Sequence, residues 1–556
     1  MKKMRNFGLL TICAVLSLTM FLSACTTTGS SDPRSGIDVA GIMNPVGTLP
    51  IINEPVTFTV AVSQRSGFDF VDNLISDYFE EATGIRVEWI QIPEADWETR
   101  INLMLATGDV PDIIVNSLGN HARVYYYAQL GLFRPITNYL EYAPELMKMF
   151  EELPEIHGDM IMPDGNIYGF PAIDDCFHCS IPQKLWINTR WLDNLGLDMP
   201  TTTEELYDVL VAFRDGDPNG DGSQVIPFAG AMSQIGQGHS IERLLGRFVT
   251  TDEGNRMIVQ DGKITPVFNT DEWRDGLRYL NRLYSEGLVA PDTFTQDRNG
   301  LRAMGDNPGH ALVGVFPGLW LGQMISTDFS DQQGRWNDYR VIPVLETPCG
   351  RAENFIRPLQ GNHRAVITST LPVELMPIAV RWLDNFYTEI STLWSIQGTQ
   401  DVHWRFADEG EVSIAGGQAR WERIISPEGA TQSFANLWGT QPVPNWRSND
   451  WRLSEKANRT IVEQETLLYD ETVAMITWVN DLDIIVPVLI YNEEQSAQLV
   501  DIQAPLNTFV TESLARFTVG DLCVENDWDW YVRELEVMGL ERLLELMQAA
   551  FDQRAR

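Results

Sequence analysis

The sequence predicts an α/β protein of two or three domains, and three observations predict it. The chain has 556 residues, more than one ordinary core organises. Its body alternates short β-branched stretches with amphipathic helical ones, and near its start two strands bracket a helix in the pattern of parallel βαβ pairing. The composition, 44% hydrophobic and 21% charged, is that of a globular chain, so its polar stretches read as loops between packed elements.

The first residues lie outside that body. Lys2, Lys3 and Arg5 precede an apolar run from Phe7 to Leu22 that ends in Leu22-Ser23-Ala24-Cys25. The run is shorter than the roughly 20 residues of a spanning helix, so it reads as an export signal. A small pair before a cysteine resembles the bacterial lipobox: residues 1–24 are expected to be removed and Cys25 to carry diacylglycerol. A plain signal peptide or an uncleaved anchor is the alternative. Residues 25–53, rich in Thr, Ser, Gly and Pro, are expected to form a flexible tether.

Residues 55–62 are β-branched and alternating, residues 63–69 are a polar loop, and a helix is expected over 70–82, stopped by Thr83-Gly84. Residues 85–90 give a second strand. Trp97, Ile101, Met104 and Leu105 recur at helical spacing up to Gly108, and Pro111-Asp112 leads into the strand Ile113-Ile114-Val115. A second region starts after Gly169-Phe170-Pro171, with a strand at Leu185-Trp186-Ile187 and capping-box spacing at Thr202-Thr203-Glu204-Glu205. Leu206, Val209, Leu210 and Phe213 form one apolar stripe; Trp273, Leu277, Leu280 and Tyr284 form another, closed by Gly287. The longest later apolar run, residues 483–491, is of strand length and contains Pro487; it reads as buried core.

Charge excludes some functions. With 40 Lys+Arg against 77 Asp+Glu, a net charge of −37, the chain lacks the clustered cations that release counterions from nucleic acid, and anionic membrane surfaces are disfavoured alike. No Gly-x-Ser-x-Gly elbow, His-Glu-x-x-His, Walker loop or Rossmann fingerprint occurs, so no catalytic residue is expected. The enzyme alternative is a lipid-anchored glycoside hydrolase, because 77 acids could supply a pair of catalytic carboxylates.

Five stretches carry a family resemblance. Leu103-Met104-Leu105-Ala106-Thr107-Gly108-Asp109-Val110-Pro111-Asp112 is similar to the "LASGDLPDI" stretch of family 1 extracellular solute-binding proteins, lipoproteins that feed ABC importers. The run Ile187-Asn188-Thr189-Arg190-Trp191-Leu192-Asp193-Asn194-Leu195-Gly196-Leu197 resembles the large oligosaccharide-binding branch that includes the alginate-binding proteins. Gly287-Leu288-Val289-Ala290-Pro291-Asp292, Arg381-Trp382-Leu383-Asp384, and Asn526 to Tyr531 with Gly539-Leu540 follow in the family's order.

The resemblance implies a two-lobed periplasmic-binding type II fold with hinge crossovers near 170–186, 340–370 and 398–403. The N-terminal lobe is expected at 54–178 plus 365–400 and the C-terminal lobe at 179–364 plus 401–556. It further implies capture of an oligosaccharide between the lobes and delivery to an ABC permease, by a monomer lipid-anchored on the outer face of the cytoplasmic membrane. A carbohydrate-binding surface protein without a transport role is the other alternative.

Three groups of residues are site candidates. Asp217, Asn219, Asp221 and Ser223, with Gly222 sixth, open like an EF-hand calcium loop. Relatives of the resembled family carry calcium here, but this chain has no glutamate at the twelfth position, so the alternatives are a weak calcium site and a metal-free turn. Trp320, Trp404, Trp438 and Trp446 lie in stretches read as loops, where a flat apolar face can stack on a sugar ring; Gln64 is counted with them as a polar ligand contact. Cys176-Phe177-His178-Cys179 is read as structural thiols or a local disulfide, as cleft lining, or as half of a metal site. No organic cofactor is expected.

Overall fold

A computed structural model describes residues 32–554 except 33, 117, 119–120, 232–239, 252–255, 328–330, 332, 349, 351–354, 425–437, 439–442, 459–463, 477–478, 480–481, 490 and 492. The export signal and Cys25 lie outside the described residues, as does Cys349.

Two four-stranded sheets organise two lobes. In the first, Val56–Gln64 pairs in parallel with Ile85–Pro93 over its whole length and with Ile113–Val115 on its other side, and Ala365–Ile367 closes the sheet antiparallel to Ile113–Val115. The helices Leu74–Thr83 and Trp97–Thr107 make the connections, which is the βαβ arrangement the periodicity predicts. The first of them starts at Leu74 and not at Phe70, because the Asn73 side chain accepts from the Ile75 amide and caps it there. In the second sheet the order is Tyr339–Val341, Leu185–Asn188, Val313–Pro317, Ile226–Phe228. Leu185–Asn188 is buried along its length, as a central strand covered on both faces must be.

The expected capping box forms in a variant geometry. Thr202 accepts from the Glu205 amide, while the Glu205 carboxylate reaches back to the Thr201 amide at 2.8 Å. The helix Thr203–Asp215 then lays Leu206, Val209, Leu210 and Phe213 into the second lobe's core, together with Trp273, Leu277 and Leu280. The C-terminal helices Glu493–Val519, Trp528–Val537 and Leu540–Arg554 add Leu514, Tyr531 and Leu543 to the same core.

Three expectations are corrected. Residues from Asp32 onward are not a loose tether: Ile42, Ile51 and Ile52 enter the first lobe's core, and Arg34 donates to both carboxylate oxygens of the buried Asp112 at 2.7 and 2.9 Å. Sparse isoleucines in a polar stretch show no periodicity, yet each removes apolar area from water. Secondly, the chain returns to the first lobe late. Trp438 and Val443 lie in its core, and Asn445–Arg447 pairs in parallel with Ala172–Asp174, so residues 401–556 do not all belong to the second lobe. Thirdly, the run at 483–491 contributes a 3-10 turn, Leu482–Ile484, and only Ile485 of its described residues is buried. No described helix is long and apolar enough to cross a membrane.

Candidate ligand cleft

The segments between the lobes meet where Ala172–Asp174 and Asn445–Arg447 pair. Asp174 accepts from Arg452 Nη2 at 2.5 Å and from Arg447 Nη1 at 3.3 Å. Arg452 Nη1 also donates to the Glu465 carboxylate at 3.3 Å, and Glu465 Oε2 lies 3.5 Å from His178 Nδ1. Asp175 accepts from Asn449 Nδ2 at 2.7 Å. Arg452 is only 5% exposed. Burying such charges is tolerable because they are paired and hydrogen-bonded, and removing one partner of a buried pair typically costs about 3–5 kcal/mol.

The titration of these groups follows from burial and partners. Burial pulls Arg447 down to about 10, and the neighbouring Arg452 adds to the effect. Burial acts the same way on Arg452, but Glu465 and Asp174 outweigh it and hold its pKa above the ordinary value. Glu465 is buried too, yet Arg452 and then His178 keep it below the usual carboxylate range. Burial lowers His178 to about 4 and Lys184 to about 7, the latter helped by Arg243. The Lys184 amine donates to the carbonyls of His178 and Ile181 at 2.6 and 2.5 Å, tying the crossover to the Leu185–Asn188 strand that follows it.

A second polar group sits at the carboxyl end of Ile113–Val115. Asn116 takes a φ of 112°, and its side-chain oxygen accepts from Arg364 Nη1 at 3.3 Å. His121 Nε2 is 3.0 Å from the Gly361 carbonyl and His363 Nε2 is 3.1 Å from His121 Nδ1. A carbonyl only accepts, so His121 carries a proton on Nε2, and the His363 ring, whose pKa burial lowers to about 3, is neutral at pH 7.

The sequence-predicted contacts divide. Trp404 is fully buried on the strand Trp404–Phe406, with Nε1 donating to the Gly398 carbonyl at 2.7 Å. It packs with Leu393, Trp421 and Trp451 in a small core of its own. Trp438, 2% exposed, is wedged among Phe70, Phe79, Trp89 and Phe386. Trp404 offers no ring face to a ligand, and Trp438 reaches only a small cavity inside the first lobe: polar neighbours in sequence suggested loops, but the large apolar area of each ring is satisfied in a core. Trp320 and Trp446 are half-buried. The Trp320 ring lies across Gly322, where a Cβ would be 1.8 Å from it. Trp446 lies under Lys148 Nζ, 5.9 Å from the ring, and its Nε1 has no hydrogen-bond partner. Gln64 Nε2 donates to Phe68 O and Gln91 Oε1 at 2.6 and 3.1 Å, holding the loop that follows its strand. A cavity of about 140 Å³ lies within the first lobe, lined by Phe70, Phe79, Trp89, Trp382, Trp438 and Asp77, away from the junction.

At the EF-hand-like loop, Asp217 Oδ1 accepts from the Gly222 amide at 3.0 Å and Asp221 Oδ1 from Ser223 at 2.9 Å. Asn219 Oδ1 accepts from Trp191 Nε1 at 3.0 Å, and its Nδ2 donates to Ser223 Oγ and to the Ala311 carbonyl. The two exposed carboxylates suit a hard cation; the amide and hydroxyl are already engaged. Cys176 and Cys179 are joined in a local disulfide. Sequence reasoning missed the Asp174–Arg452–Glu465 network and the histidine pair; Asp174 and Arg452 lie 278 positions apart and His121 and His363 lie 242 apart, and no local motif announces them.

Residues 61–304 match the model of the bacterial extracellular solute-binding protein family. The fructooligosaccharide ABC transporter substrate-binding protein FusA of Streptococcus pneumoniae is 26% identical, over 96% of this chain and 97% of that protein. The polygalacturonan/rhamnogalacturonan-binding protein YtcQ of Bacillus subtilis is 29% identical, over 85% and 87%. Among solved structures, an extracellular solute-binding protein from Bifidobacterium longum subsp. infantis superposes with a TM-score of 0.75 at 19% identity, over 90% of this chain and 99% of that one. That likeness establishes the two-lobed α/β fold.

Proposed function

We propose that the chain, whose residues 61–304 match the model of the bacterial extracellular solute-binding protein family, is the substrate-binding subunit of an ABC-type carbohydrate importer, binding an oligosaccharide between its lobes without catalysis. The observation that carries this reading is the match to FusA along 96% of the chain, in a protein whose two lobes are joined through several separate segments. A ligand touching both lobes gains contacts when they close, and only that differential affinity drives closure. A net charge of −37 repels polyanions at long range, which favours a neutral or mildly acidic sugar. Trp320 and Trp446 are the stacking faces. The test is a thermal-shift screen against fructo-, galacturono- and other oligosaccharides, in which a ligand at 100 times its Kd stabilises by about 2.7 kcal/mol. Trp446→Ala should weaken binding of the hit by about 1–3 kcal/mol; unchanged affinity would remove that residue from the site.

The same reading places the protein outside the cell, held by a lipid on Cys25 and delivering to a membrane permease. The Cys25→Ser protein should leave the membrane fraction, and its retention there would contradict the anchor. At the Asp217 loop a calcium ion, when bound, would be held by Asp217 and Asp221 with the Ser223 carbonyl, and would offset the repulsion between the carboxylates. A chelator should then lower the Tm of the wild type and leave Asp217→Ala/Asp221→Ala unaffected. Equal insensitivity of both would mean a metal-free turn.

A further inference from the structure

We propose that Cys176, His178 and Cys179 form a zinc site that exists only when their disulfide is reduced. One ligand atom from each lies within 4.8 Å of the other two. A tetrahedral zinc with bonds of about 2.3 Å to sulfur and 2.0–2.1 Å to nitrogen spaces its ligands by roughly 3.4–3.8 Å. Breaking the sulfur–sulfur bond therefore leaves the cluster within a short side-chain adjustment of that geometry. The cysteine pair alone is half a site; the fold adds a buried imidazole and, from a helix nearly three hundred residues away, a carboxylate. Glu465 Oε2 faces His178 Nδ1 at 3.5 Å, the kind of carboxylate partner that orients the imidazole of zinc sites. Charge also balances. Two thiolates and one Zn²⁺ sum to zero, so the paired Asp174, Glu465, Arg447 and Arg452 beside the site keep their partners.

The reduction requires a dithiol. Its thiolate attacks Sγ of Cys179, which is half-exposed while Cys176 is 3% exposed; the sulfur–sulfur bond breaks and Cys176 leaves as a thiolate. The dithiol's second sulfur then displaces Cys179 from the mixed disulfide. Two electrons pass to the protein and the dithiol leaves as its own disulfide. Zinc binds both sulfurs as thiolates, releasing the protons they hold as thiols. The consequence is a crossover pinned in two alternative ways, by a covalent bond under oxidising conditions and by a metal under reducing ones.

The experiment titrates Zn²⁺ into the full chain, oxidised and after anaerobic reduction and removal of the dithiol, with a colorimetric chelator as competitor. The reduced protein should take up one zinc per chain more than Cys176→Ser/Cys179→Ser, which keeps the other four cysteines and so subtracts their contribution. The oxidised protein should match the double variant. Glu465→Gln should weaken uptake about 10- to 100-fold, and Co²⁺ should give thiolate charge-transfer absorption in the reduced protein alone. Should the double variant fail to fold, reduced wild type alkylated at its cysteines takes its place. Equal uptake by reduced protein and either control, or uptake by the oxidised protein above that of the double variant, overturns the proposal.

Discussion

His363 is 1% exposed, and its neighbours fix what acid does to it. Burial, with His121 second, holds it down at about 3 against an ordinary 6.5. In the unfolded chain this imidazole binds a proton below about pH 6.5; in the folded protein it binds one only below about 3. Between those values the unfolded state holds the extra proton, so stability falls as pH falls, by about 1.4 kcal/mol per unit for this group. His363→Gln removes the titration. Urea unfolding at pH 6, 5 and 4 should show wild-type stability dropping more steeply than the variant's; parallel slopes would mean that the ring is not held neutral. None of this was legible in sequence, where His121 and His363 are two of seven histidines with no spacing to join them. The tryptophans erred in the other direction. The polar stretches around Trp404 and Trp438 read as loops, but a local signal does not report the apolar surroundings that the fold assembles, Leu393, Trp421 and Trp451 about Trp404 and Phe70, Phe79 and Trp89 about Trp438.

At the scale of elements, the pattern-based reading held where the periodicity was strong and the partners were near in sequence. The strands around Val60, Trp89 and Ile114 and the stripe Leu206–Phe213 formed as expected because each is defined by its own alternation or turn. The segment 32–53 did not show itself, since three isoleucines, Ile42, Ile51 and Ile52, and the Arg34–Asp112 ion pair dock it. Gly84 marks that docking. It ends the Leu74–Thr83 helix in the left-handed region at φ 77°, and a Cβ there would stand 2.9 Å from the Ile52 carbonyl oxygen. Gly84→Ala therefore suffers both backbone strain and a steric push on residues 51–52. It should lower stability by about 1–3 kcal/mol and speed amide exchange in residues 42–53. An unchanged Tm and exchange pattern would mean that this segment is not part of the folded lobe.

For the whole molecule, the sequence carried the fold class and the family resemblance, because five motifs keep their order along the chain. It did not carry the junction. The pairing of Ala172–Asp174 with Asn445–Arg447 and the charges gathered on Arg452 join residues more than 270 positions apart, and no alternation or spacing encodes a contact at that range. This junction is also what makes a two-lobed binder a mechanical unit, since it ties together the segments that run between the lobes. The central claim is that the cleft takes up an oligosaccharide and leaves it unchanged. The most direct measurement incubates the oxidised protein, free of its export signal, with a panel of oligosaccharides, recording Tm and assaying each sugar for new reducing ends. At least one oligosaccharide should raise the Tm, by an amount that grows with concentration, and be recovered intact. Failure of every oligosaccharide to shift the Tm while peptides or amino acids do, or the accumulation of reducing ends, would contradict it.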